Sequence, residues 1–271
     1  MNVVECFSRG VNVAGKVFPL ILVNILYSVI DFNSISRVLS FNGFHVGFKA
    51  LLPEEVIDLW DLVSLPNIGG QAVYVEIAGI SYSVTESTIV LMIVIGLLFT
   101  IVYGIVSFIY LRYLFEKGIG LNGVAGWNRV VDVIAYNLLF YFVVIVFVVF
   151  LVYGNPIAAV MLVSVTLVLS YFLYATPFII VAKDKDITNA LKASMSFAVT
   201  SEYFKYTLLF LIITIICSSI FTLIVVNMKI FGIVVMLVPA GIVGLWLTSS
   251  TALMVTKLFG ENTLPEAASL S

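Results

Sequence analysis

The chain has 271 residues, of which 62% are hydrophobic and 10% charged, and its mean hydropathy is +1.19. Soluble domains carry about 45–50% apolar and about 25% charged residues, so a soluble enzyme and a disordered chain are excluded. Thirteen basic residues stand against fifteen acidic ones, which leaves no broad basic surface for nucleic acid. The composition is that of an all-α polytopic membrane bundle.

A helix needs roughly 20 apolar residues to cross a hydrocarbon core of about 30 Å. Six such runs are legible, ending the chain's first 31 residues with an N-terminal transmembrane anchor at about Val11–Ile30. Asn12, Lys16 and Asn24 interrupt this first run, and Lys16 is placed to snorkel to the interface. Asp31, Phe32 and Asn33 follow it where a signal-peptide cleavage site would need small residues, so it reads as a retained anchor. The other runs are Ile89–Leu111, Val133–Tyr153, Ile157–Ala182, Tyr206–Val226 and Ile230–Thr256. Together with their loops they make residues 88–258 a five-helix remainder of the bundle, and 259–271 a cytoplasmic tail.

Lysine and arginine set the orientation. Arg9, Lys16, Arg112, Lys117, Arg129, Lys183, Lys185, Lys192, Lys205 and Lys257 fall on the side of the N-terminus. Only Arg37, Lys49 and Lys229 fall on the other. Basic loops stay in the cytoplasm, so the expected location is a cell membrane, multi-pass, with both termini cytoplasmic.

Residues 32–87 form the one sizeable extramembrane segment. Phe44, Val46 and Phe48 alternate with His45, Gly47 and Lys49 in a strand pattern. Pro53 opens a short helix whose Val56, Leu59, Trp60 and Val63 make one apolar face. Over 72–84, apolar residues alternate around Ala78-Gly79, as a hairpin or as one long strand bulged at Gly79. The expectation is a small α+β extracytoplasmic module between the first two helices. A unit of about 50 residues is marginal alone, so it needs the membrane domain, a second copy or a protein partner to pack on.

On the cytoplasmic side, Asp186 is a candidate N-cap for an amphipathic helix over about 186–200. Ile187, Leu191, Met195 and Ala198 form its apolar face, and it is expected to lie in the interface plane. Gly96, Gly104, Gly241 and Gly244 are read as close helix-packing positions. Pro177 and Pro239 are candidate kinks in the fourth and sixth spans.

Residues 174–213 combine Pro177, a charged turn, Ala190, Leu191 and Ser194 on one helix, and Phe204 leading a new span. This stretch of about 40 residues resembles a broad set of poorly characterised polytopic membrane proteins. They include YciC-like proteins and the membrane domain attached to some glycerophosphodiester phosphodiesterases. The resemblance implies a six-span architecture and no particular chemistry. The 32–87 insertion departs from it, and no phosphodiesterase domain accompanies it here.

The spans have no ionisable residue at their centres, which argues against a charge-coupled carrier. Two cysteines, Cys6 and Cys217, and a single histidine, His45, supply no metal-ligand spacing. The acidic run Glu54, Glu55, Asp58 and Asp61 reads as a solvated face. No catalytic motif and no cofactor site is legible. The leading expectation is a non-enzymatic scaffold, assembly factor or subunit of a membrane complex, with the lipid bilayer as its principal partner. The alternative is a transporter or channel for a neutral or lipid-like substrate, with Asn24, Asn137 and Thr214 lining a cavity. A third option, a lipid-active enzyme, would need Arg112, Arg129 and Asp132 to converge.

Overall fold

The computed structural model describes residues 2–30, 74–77, 80–83, 86–152 and 156–262. Helix α1 spans Val3–Lys16. Glu5 opens it by accepting a hydrogen bond from the Asn2 backbone and pairing with Arg9 one turn on, at 2.6 Å. Its buried face is Val3, Cys6, Phe7, Gly10, Val13 and Ala14, the i, i+3, i+4, i+7 spacing of an amphipathic helix. A 3-10 turn at Phe18–Leu20 leads into α2, Ile21–Ile30.

The first span is therefore not one rod from Val11. Pro19 has no N–H to donate, and its ring disfavours helical backbone at the residue before it. The chain turns by 89° between Val3–Lys16 and Phe18–Leu26.

Strands β1, Tyr74–Ile77, and β2, Ile80–Ser83, pair antiparallel with Ile77 opposite Ile80. Of the two alternatives for 72–84, the paired one is present. The apolar face Val56, Leu59, Trp60 and Val63 lies outside the described residues.

Helix α3, Glu86–Tyr113, widens into a π turn at Leu114–Ile119 and stops at Gly120. Gly120 has φ +78, a conformation that a side chain would strain. Helix α4 is Val130–Val152. The fourth apolar run is also broken: α5, Pro156–Leu173, and α6, Thr176–Lys183, are separated by a turn at Tyr174-Ala175. Pro177 explains the break, since it stands in the first turn of α6, where its missing N–H costs nothing. Helix α7 is Ile187–Ala198.

The last element, α8, is helical from Ser201 to Asn262. As a straight rod of 62 residues it would be about 93 Å long. Yet the Tyr206 hydroxyl lies 2.9 Å from Thr251 Oγ1, and Lys257 Nζ donates to Glu202 Oε2. Those pairs are 45 and 55 residues apart, so α8 reverses on itself near Met228–Lys229. Its two limbs coincide with the fifth and sixth apolar runs. Cysteines placed at 202 and 257, with Cys6 and Cys217 replaced by alanine, are expected to join through a bis-maleimide of about 10 Å. A straight α8 would hold them about 80 Å apart and yield no linked peptide in the mass spectrum.

Among the described residues, three segments are long and apolar enough to cross a membrane: Gly96–Ile119, Ser201–Phe221 and Val235–Phe259. The bent pair at the N-terminus makes a fourth if it counts as one span. Large apolar side chains such as Leu98, Phe99, Phe142, Leu223 and Phe231 are 58–64% exposed. Water would not tolerate that much contiguous apolar surface on a monomer, whereas lipid does.

The packing glycines lie at helix seams. A Cβ at Gly104 would come within 2.9 Å of the Ile134 backbone, and Gly96 backs onto the Tyr141 ring. Gly241 faces Ile21 and Ile25 across the α2–α8 seam, and Gly244 faces the Asn24 amide at 3.5 Å. The buried core is one contiguous cluster, drawn from α1, the end of α3, α6, α7 and both limbs of α8. The C-terminal tail starts later than the sequence suggested. Phe259 is 8% exposed and packs edge-on against Phe197 at 4.9 Å.

Candidate membrane-interface platform

Four of the basic residues expected on the N-terminal side meet at one end of the bundle: Arg129 pairs with Asp184, Lys183 and Lys185 lie over Phe259, and Lys257 pairs with Glu202. Phe7 on α1 stacks on Tyr206 at 4.9 Å and meets Trp246 edge-on at 6.1 Å. The Phe7 carbonyl accepts from Trp246 Nε1 at 2.7 Å. Gly118, after α3, backs onto Val13 and Val17. The two limbs of α8 are clamped beside it by Glu202 and Lys257. These contacts tie residues from both ends of the chain into one platform.

Its second half is an ion network. The Arg129 guanidinium donates to Asp132 at 3.3 Å and to Asp184 at 3.1 Å. Asp132 Oδ1 also accepts from the Ile187 backbone N–H at 3.1 Å, satisfying a donor that the first turn of α7 would otherwise leave orphaned. Asp186 caps the same helix by accepting from the Asn189 backbone. The Asn189 side chain, hydrogen-bonded to Asp186, holds that carboxyl below its ordinary range. Asp184 and then Asp132 raise the Arg129 guanidinium further, so it stays charged throughout. Ala125 N–H donates to the Val181 carbonyl at 2.9 Å, pinning the glycine-rich loop to α6.

The three residues that lipid chemistry would need do not converge. Arg112 pairs with Glu116 at 2.9 Å and lies over the Trp127 ring at 5.5 Å, while Arg129 and Asp132 face α7. Among the described residues, no group of three or more His, Cys, Asp and Glu is placed to hold a metal ion.

Helix α7 lies on the platform with its stripe rotated from the expected one. Ala190, Ser194, Phe197 and Ala198 are buried. Of the expected face, Ala198 is buried, Ile187 and Leu191 are half-buried, and Met195 is 46% exposed. Small residues decide the docking angle. Ala190 and Ser194 let α7 lie close to α5, and the Ser194 hydroxyl donates to the Phe172 carbonyl at 2.7 Å. Tyr171 adds a second stitch to the Ala198 carbonyl at 2.7 Å. Ile187, Leu191 and Met195 then form a flanking apolar edge. Of the residues that carried the family resemblance, Ala190 and Ser194 are in the buried stripe, while Phe204 is 58% exposed.

Inside the spans, many hydroxyls are spent locally, while Ser107, Asn137, Thr176 and Ser249 keep a buried polar atom without a partner. Thr100, Thr207, Thr214, Thr248 and Thr256 each donate to the carbonyl four residues back. Asn24 donates to the Gly241 carbonyl at 3.2 Å, bridging α2 and α8. Asn137 sits beside Gly104 at the α3–α4 seam. Asn24, Asn137 and Thr214 thus each have a different neighbour: the Gly241 carbonyl, Gly104 and the Phe210 carbonyl. Among the described residues, an open groove of about 380 Å³ lies at the N-terminal elbow, lined by apolar residues including Val11, Ala14, Gly15, Phe18, Ile242 and Trp246.

The α1 face was missed in the sequence although its spacing was visible there, because charged and polar residues dilute it below a span's hydropathy. No protein-family model matches this chain, and neither does any curated protein or solved structure.

Proposed function

We propose that this chain is a non-enzymatic, six-span protein of the cell membrane that serves as a scaffold, assembly factor or subunit of a membrane complex. The observation that carries the reading is the division of polar groups. Many of those within the spans donate to helix carbonyls or bridge seams, with Ser107, Asn137, Thr176 and Ser249 each keeping a buried polar atom without a partner, whereas ion pairs and stacked aromatic rings gather at the end platform. Such an interior holds helices together and offers no described path for a polar solute. The six spans are the first run, Val11–Ile30, broken at Pro19, then α3, α4, the α5–α6 pair and the two limbs of α8. An even number returns the chain to its starting side, in keeping with Cys6 beside Met254 and with a cytoplasmic location for both termini. The resemblance of residues 174–213 to YciC-like membrane proteins fits the same architecture. The extracytoplasmic segment is the second docking surface in this reading, for a partner or another copy of the chain.

Extraction from native membranes in mild detergent tests this. The expected result is a particle larger than the 29.8 kDa chain, holding a stoichiometric partner or a second copy. A lone monomer overturns it. The alternative, a transporter for a neutral or lipid-like substrate, has the apolar elbow groove in its favour. Liposome flux equal to that of empty vesicles removes it.

A further inference from the structure

We draw no further inference here: the strongest candidate, the apolar groove at the N-terminal elbow between Val11, Gly15 and Phe18 and the second limb of α8 at Ile242 and Trp246, carries nothing because no feature of the structure shows what covers it.

Discussion

Replacing Phe7 by alanine is expected to destabilise the purified protein by about 3–5 kcal/mol, the usual cost of emptying a buried aromatic site. Phe7 is 5% exposed, and its ring is the wedge between Tyr206 and Trp246, one on each limb of α8. Without it, α1 keeps the Trp246 hydrogen bond to the Phe7 carbonyl, the Cys6–Met254 contact and the smaller contacts of Val3, Gly10, Val13 and Ala14. Denaturation in detergent, followed by tryptophan fluorescence, reads the loss through Trp246 itself. A change under about 1 kcal/mol would mean that α1 does not dock as described. Phe7→Leu separates the ring from the volume. It should recover part of the stability and leave the aromatic increment, about 0.5–1.5 kcal/mol, missing.

Gly104→Leu is expected to produce the second large effect, a loss of about 1–3 kcal/mol or more from overpacking. The new Cβ would start 2.9 Å from the Ile134 backbone atom Cα, and backbone on a packed helix has no rotamer to escape into. The α3–α4 seam must open, which also moves Asn137 from its place beside Gly104. Gly15→Leu is the matched control, because nothing lies within 4 Å of a Cβ there. Equal melting temperatures for the two variants would show that the α3–α4 seam is not close-packed.

The sequence showed the lipid-facing runs because the bilayer imposes a length and a hydropathy that no other environment does. It also marked the reversal in α8, where Asn227, Met228 and Lys229 interrupt an otherwise apolar stretch. Breaks within runs were harder to see. Averaging over a span hides a single Pro19, and Pro177 stands after the turn it accompanies, not within it. The platform was least legible. Its contacts join Phe7 to Trp246 across 239 positions, and Arg129 to Asp184 across 55. No periodicity connects residues so far apart. The rotation of α7 has a different cause: hydropathy ranks Leu191 and Met195 above Ala190 and Ser194, but close approach favours the smaller pair.

The elbow at Val17 has a consequence for the shape of the whole molecule. Two arms at 89° cannot both stand along the membrane normal. In the proposed membrane reading, α1, which carries Glu5, Arg9 and Lys16, is the arm that reclines, a rod about 21 Å long. Helix α7 would recline at the same end. Both would displace lipid from one leaflet, and the described part of the protein would taper. A tapered inclusion is more comfortable where its broader leaflet is stretched, and vesicle radius alone would then sort it.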